Sequence, residues 1–242
     1  MSRRNRICAL GVVVPAHNEA ATIAECLDAI RASWIHLRRT MADPPSVRVV
    51  VVLDACTDDT ARIARAAAEV QTVTVSVRQV GAARAAGATQ LMRDGCAGLR
   101  ELWLANTDAD SVVPVDWLSG MVRAARAGAH VVLGTALPAP HVLSRAAERA
   151  WQARHDLRDG HPHVHGANLG IRADAYLALG GWTAVASGED AALARRASET
   201  AHLRVLRTAA IPVRTSARTV GRAPHGFAAY LRDLTATAGT AG

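Results

Sequence analysis

Asp108 and Asp110 lie one residue apart at the end of an apolar run, Leu102-Trp103-Leu104-Ala105. Two carboxylates so placed suit a hard divalent cation, Mg²⁺ or Mn²⁺, that must keep positions open for phosphate oxygens and water. The same letters also make a simple turn, because Asp readily bonds its own backbone. A second acidic pair, Glu189-Asp190, opens a segment of helical character, Ala191-Ala192-Leu193-Ala194-Arg195-Arg196. There the acids either complement the helix N-terminus or bring one carboxylate within reach of a hydroxyl proton during nucleophilic attack.

Two more polar clusters follow apolar runs: Pro15-Ala16-His17-Asn18-Glu19 after Ile7–Val14, and Asp54-Ala55-Cys56-Thr57-Asp58-Asp59-Thr60 after Val47–Leu53. Ligands of open parallel sheets bind beyond the carboxyl ends of the strands, so these clusters and the Asp108 run are expected to converge on one cleft. Asp54 follows a buried strand, where a carboxylate is costly unless paired or hydrogen-bonded. Thr57 or Asp58 is expected to cap the helix that follows. His161, His163 and His165 alternate and would share one face if extended. That spacing suits zinc, but neither a fourth ligand nor a cysteine pair accompanies it. Arg218, Arg222 and His225 form a cationic segment that would either close on a diphosphate, with His225 completing a metal shell, or stand as a surface charge run.

Elements that could position these residues are legible as a βαβα rhythm. Apolar runs at 7–14, 47–53, 73–77 and 99–105 alternate with segments of helical period at 22–39, 58–70 and 81–93. Continuous Val and Leu runs, rather than strict alternation, indicate strands buried on both faces of a parallel sheet. Thr22 with Glu25 three residues later forms a potential capping box, and Pro114 is expected to open a helix carrying Trp117 to Ala127. After an apolar run at 131–133 the alternation loosens, with a helix expected over 143–157 and a loop over 161–165. The fold class expected is α/β, one domain over 1–242, with a nucleotide-binding part over 1–112, an acceptor-binding part over 113–234 and a frayed tail over 235–242.

The 242 residues are half hydrophobic, enough for a substantial core. The formal charge is +7, yet every cationic side chain apart from histidine is Arg, and these are spread along the chain without interleaved stacking aromatics. That distribution argues against a nucleic-acid partner. Cys8, Cys26, Cys56 and Cys96 are isolated, which points to a reduced, cytoplasmic setting, with Cys56 a small stand-in for Ser. The longest apolar stretches fall well short of the roughly 18 residues that cross a bilayer, so no transmembrane segment is expected.

Order and spacing of the motifs resemble glycosyltransferase family 2, the inverting enzymes of GT-A fold, over nearly the whole chain. Val12-Val13-Val14-Pro15-Ala16-His17-Asn18-Glu19 is similar to the family's opening strand and loop, Leu53 to Thr60 to its second-strand signature, and Gly81-Ala82-Ala83-Arg84 to the start of its next helix. Asp108-Ala109-Asp110 falls at the metal-binding triplet, and Gly188-Glu189-Asp190 at the acidic pair containing the base. The resemblance implies a single GT-A-type, Rossmann-like domain with a mostly parallel sheet flanked by helices. It implies transfer of a sugar from a nucleotide-diphosphate donor to a hydroxyl acceptor that is a small molecule, lipid or glycan.

Under that resemblance Pro15, His17, Glu19, Asp54, Arg84 and Asp108 bind the donor, with Asp54 accepting a nucleobase hydrogen bond. Asp108, Asp110 and His225 hold a divalent Mg or Mn ion. Asp190 is the base, and Glu189 orients the acceptor or its loop. His163-Val164-His165-Gly166-Ala167-Asn168-Leu169-Gly170, with Trp182 beyond it, resembles the acceptor region. Acceptor contacts are then implied for His165, for Gly166 through its open backbone, for Asn168 through a hydroxyl, and for Trp182 by stacking, with a core position the alternative for Trp182. In the second signature Leu53 stands at the first acidic position and Ala55-Cys56 at the small pair, which leaves UDP, GDP and TDP donors open. Two other readings are a nucleotidyltransferase acting on sugar phosphates and a catalytically silent nucleotide-binding scaffold. The first normally needs a Gly-rich basic loop after the first strand, which Pro15–Glu19 lacks.

Overall fold

The computed structural model describes residues 5–95, 97–139, 145–155, 157–185 and 187–216. In its first half β1 (Ala9–Ala16), α1 (Ile23–Thr40), β2 (Ser46–Asp54), α2 (Thr60–Ala66), β3 (Val70–Val75), α3 (Val80–Arg93) and β4 (Leu102–Asn106) alternate. The second half contains β5 (Ser111–Val112), α4 (Trp117–Arg126), β6 (Val131–Pro138), α5 (Arg145–Arg154), β7 (Leu169–Arg172), α6 (Ala173–Ala178), α7 (Glu189–Glu199) and β8 (Val205–Thr215). All eight strands form one sheet in the order β3-β2-β1-β4-β7-β6-β8-β5.

Strands β3, β2, β1 and β4 are mutually parallel. The continuous valine runs have the physical reason the sequence suggests. Val12 and Val14 of β1, with Val49 and Val51 of β2, join Trp103, Trp117 and Met121 in a core under α1 and α4. Their neighbours Val13, Val50 and Val52 point the other way, into a second core with Leu91, Leu104, Tyr176 and Leu193 under α3, α6 and α7. Full burial of each such side chain contributes about 1.5–3 kcal/mol relative to exposure. The expected α/β class, a mostly parallel sheet with helices on both faces, is the observed one.

Strand β7 lies antiparallel between β4 and β6, pairing Trp103 with Arg172 and Val131 with Ile171, so the sheet runs unbroken from the first half into the second. Strand β8 runs parallel to β6, with an irregularity between Gly134 and Ala136, and reaches β5 at its far end. No helix among the described residues is long and apolar enough to cross a membrane.

Several local expectations are corrected. The Thr22–Glu25 capping box does not form: the Thr22 hydroxyl donates to Glu19, before α1, and gives the helix no side-chain cap. The third strand ends at Val75 rather than Val77, because the Asp54 carboxylate takes the N–H groups of Val77 and Arg78 and draws the chain out of the sheet. The fourth begins at Leu102 rather than Leu99, since Glu101 and Leu102 both donate to the Gly98 carbonyl and close a turn. Helix α2 is shorter than the 58–70 segment expected. The tail 235–242 lies outside the described residues.

Candidate active site

The loops after β1, β2 and β4 meet at the carboxyl ends of the parallel strands, as expected. The first two are laced together. Asn18 Oδ1 accepts from the Thr57 backbone at 2.7 Å, the Glu19 N–H donates to Thr60 Oγ1 at 2.7 Å, and Ala20 N–H donates to Asp58 Oδ2 at 3.1 Å. His17 Nδ1 lies 2.5 Å from the Asp54 carbonyl oxygen. Pro15, inside β1, is half-buried, and Glu19 is buried with its carboxylate accepting from Thr22. The expected cap by Thr57 or Asp58 is corrected: Asp59 occupies the N-cap of α2 and the helix has no side-chain cap, while Asp58, one residue earlier, accepts from the Thr60 N–H at 3.0 Å.

Asp54 is 4 % exposed, and its carboxylate accepts the backbone N–H groups of Val77, Arg78 and Gln79 at 2.8, 2.9 and 3.2 Å. The hydrogen bond that its burial demands thus comes from the chain itself, where a nucleobase was expected to supply it. Cys56 is half-buried and its thiol donates to the Ala16 carbonyl at 3.3 Å, the part a serine would take.

Asp108 and Asp110 project from the turn after β4 and are half-buried. The Asp110 backbone carbonyl accepts from Ser216 at 3.0 Å, and its Oδ1 lies 3.5 Å from the Thr215 hydroxyl at the end of β8. Beneath the turn, Cys26 donates to the Asp108 carbonyl at 3.3 Å. Burial, reinforced by the nearby Asp108 and Asp110 carboxylates, pushes its thiol pKa up, which makes it an inert thiol. The two carboxylates are hard oxygen donors, of the chemistry that would suit a divalent cation such as Mg²⁺ or Mn²⁺. His225, expected to join them, lies outside the described residues, as do Arg218 and Arg222; among the described residues no cluster of three or more potential ligands forms.

Arg84, the fifth residue of α3, is the centre of the cleft. It is 2 % exposed, donates through Nη2 to Asp108 Oδ1 at 2.5 Å and through Nη1 to Glu189 Oε1, and lies with its guanidinium 5.2 Å over the Trp182 ring. Burial works against its charge, but Asp108, Glu189 and Asp190 together outweigh that and raise its pKa. The Glu189 carboxyl is itself held up by burial, against the pull of Arg84. A Cβ on Gly166 would stand 2.4 Å from Arg84 Nη1, so only glycine leaves room for the guanidinium.

Asp190 is the second residue of α7. Its Oδ2 accepts from the Gly166 N–H at 2.8 Å and its Oδ1 from Ala191 N–H at 2.8 Å, which ties α7 to the loop before β7. Next to it His165 has its pKa lowered to about 4, chiefly by burial and further by His163, His155 and His161, against the opposing Asp190 charge. The histidines form a ladder: His155 stacks on Trp151 at 4.3 Å and on His163 at 4.7 Å, with His161 and His165 at 5.8 and 6.1 Å from His163. Stacked rings aim their nitrogens sideways rather than at a common ion, so the zinc reading finds no support.

Two acceptor expectations are corrected. Asn168 is wholly buried, accepting from Trp117 Nε1 at 2.9 Å and donating to the carbonyls of Thr135 and Ile211 at 2.9 and 2.8 Å, so its amide belongs to the core. Trp182 is buried with one face under Arg84, the core alternative rather than an open stacking platform. The structure thus brings together Arg84, Asp108, Glu189, Asp190, Gly166 and His165, and sets Asn168 apart from them. What sequence reasoning missed is that Arg84 joins the two acidic motifs; a lone Arg in a helix start carries no sign of its partners.

A family model described as glycosyl transferase family 2 matches residues 11–179. Among solved structures, a 1–349 fragment of TarS from S. aureus superposes with a TM-score of 0.58 at 15 % identity, covering 87 % of this chain and 61 % of that one. The same fragment in complex with UDP covers 95 % and 64 %, also at a TM-score of 0.58. Glucosyl-3-phosphoglycerate synthase from Mycobacterium tuberculosis, in complex with Mn²⁺, UDP and glucosyl-3-phosphoglycerate, gives a TM-score of 0.53 at 16 % identity over 86 % of this chain and 70 % of that one. At such identities the likeness is one of fold. The chain spans less than two thirds of the TarS fragment. No curated protein matches the sequence.

Proposed function

The chain belongs to glycosyl transferase family 2, and from that premise we propose that it moves a sugar, with inversion, from a nucleotide-diphosphate donor to a hydroxyl acceptor. The observation that carries the proposal is the meeting of the Asp108 turn with the Glu189-Asp190 pair across Arg84, at the carboxyl ends of the parallel strands. Residues 1–112 serve the donor, and residues 113–234 supply the acceptor side. UDP is the first nucleotide to test, because TarS and the mycobacterial synthase were both crystallised with it.

In this reading Asp190 lies beside the acceptor and takes the hydroxyl proton as that oxygen attacks the anomeric carbon. The bond to the diphosphate breaks on the opposite side. Gly166 N–H and Ala191 N–H orient the Asp190 carboxylate, and Glu189 holds the start of α7 through Arg84. Asp108 and Asp110 would hold a divalent cation, which when bound neutralises charge on the departing diphosphate.

The test is thermal unfolding with UDP, GDP, TDP, CDP and ADP, each with Mn²⁺ and with chelator, on the native chain and on Asp190→Asn. One nucleotide at a hundredfold excess over its Kd should add about 2.7 kcal/mol in a metal-dependent manner. Asp190→Asn should show the same shift while transfer from the matching nucleotide-sugar falls about 10²–10⁴-fold. Full transfer by Asp190→Asn would move the base elsewhere, a nucleotide shift without transfer from any nucleotide-sugar would favour a silent nucleotide-binding scaffold, and no shift with any nucleotide would overturn the donor site.

A further inference from the structure

Arg84 carries the resemblance of a donor ligand, yet its surroundings leave a diphosphate no approach. Its Nη1 is given to Glu189 and its Nη2 to Asp108; Nε is buried without a hydrogen-bond partner among the described residues. Trp182 covers one face of the guanidinium, and the backbone of Gly166 lies so close to its Nη1 that a methyl group would not fit between them. A phosphate oxygen could reach it only by displacing a carboxylate.

Each of these neighbours belongs to a different part of the site. Asp108 is in the turn after β4, Glu189 opens α7, and Gly166 is in the loop whose N–H holds Asp190. Trp182 precedes α7 and donates its own N–H to the Tyr176 hydroxyl at 3.2 Å. Moving Arg84 would therefore release the acceptor loop and the start of α7 together, while the β1 and β2 ends keep their separate lacing.

Resting on the transferase reading above, we propose that Arg84 is a positioning residue rather than a donor ligand: it clasps the donor-side carboxylate Asp108 to Glu189 and so sets Asp190 and Gly166 in place on the acceptor side. The fork geometry of the guanidinium is what lets one side chain bridge two carboxylates. Removing its charge leaves Asp108 a freer carboxylate for a divalent cation, so metal-dependent nucleotide binding should persist. Turnover should suffer, because the base is no longer held.

The experiment compares the native chain with Arg84→Lys, Arg84→Met and Arg84→Met/Glu189→Gln. The double variant removes both buried charges, so it folds even where Arg84→Met alone leaves Glu189 unpaired and fails. Calorimetry with UDP and Mn²⁺ reads the donor side, turnover of a UDP-sugar panel reads the reaction, and amide exchange over residues 163–168 without nucleotide reads the loop.

In the double variant UDP with Mn²⁺ should bind within about threefold of the native chain while turnover drops about 100-fold, the scale expected when a base is misplaced. Gly166 should lose amide protection, and Arg84→Lys should recover part of the turnover. A fall of more than about tenfold in UDP affinity with Gly166 still protected would make Arg84 a donor ligand and overturn the proposal. Turnover within about threefold of native would reduce the clasp to a structural ion pair and overturn it as well. If the native chain neither binds a nucleotide nor turns over a sugar, the transferase reading falls by itself; the clasp is then judged on exchange, and unchanged protection at Gly166 sinks it.

Discussion

Asp54 and Asn168 are both polar, both buried and both fully engaged by the chain, and they show how a residue type can be read correctly while its partner is not. An aspartate after a buried strand must find donors, and it does, in the N–H groups of residues 23 to 25 positions on. Asp54→Ala should therefore lower the unfolding free energy by about 1–3 kcal/mol, the cost of leaving buried N–H groups unmatched. Urea denaturation checks this. A variant with native stability that loses nucleotide affinity would restore the base-reading role. The positions of Asp108, Arg84, Glu189 and Asp190 were legible because they follow strands or open helices. Their pairing was not, since Arg84 reaches Asp108 across 24 residues and Glu189 across 105. Nothing local in a sequence records such separations.

At the scale of elements, the first half was legible and much of the second was not, for a physical reason. Strands β1, β2 and β4 are hydrophobic on both faces and announce themselves as apolar runs. Strand β7 is only four residues long and rich in neighbours rather than in pattern: Leu169-Gly170-Ile171-Arg172 is extended because β4 and β6 pair with it on both sides. No strand is therefore expected from the sequence at β7, nor at β8. The approach of α3 to the segment before α7 is equally invisible in sequence, and it depends on Gly81. A Cβ there would meet the Thr183 carbonyl oxygen at 2.2 Å and Glu189 Cβ at 3.1 Å. Gly81→Ala should push α3 outward at a cost of about 1–3 kcal/mol. Because Arg84 rides on the same helix turn, turnover should fall along with the melting temperature. A variant that melts as the native chain does would show that the helix has room to spare.

For the whole molecule, the burial of His165 makes stability depend on pH in a definite direction. Burial lowers the His165 pKa from 6.5 to about 4, so between those values the unfolded chain binds a proton that the folded chain does not. Stability therefore rises with pH across that window: it is fully present above about 6.5 and is lost as the pH falls toward about 4. Denaturation midpoints at pH 7, 6, 5 and 4 should fall in that order, and His165→Gln should flatten the decline. An unchanged slope in that variant would assign the proton uptake to other groups.

The antiparallel strand β7 has one more consequence. Because it is hydrogen-bonded to β4 on one side and to β6 on the other, the wall bearing Asp108 and the wall leading to the acceptor loop are panels of one continuous sheet. They cannot swing apart like the jaws of a two-lobed clamp without breaking that ladder. Any opening or closing of the cleft falls to the connecting segments at its rim, while the sheet behind them stays one frame.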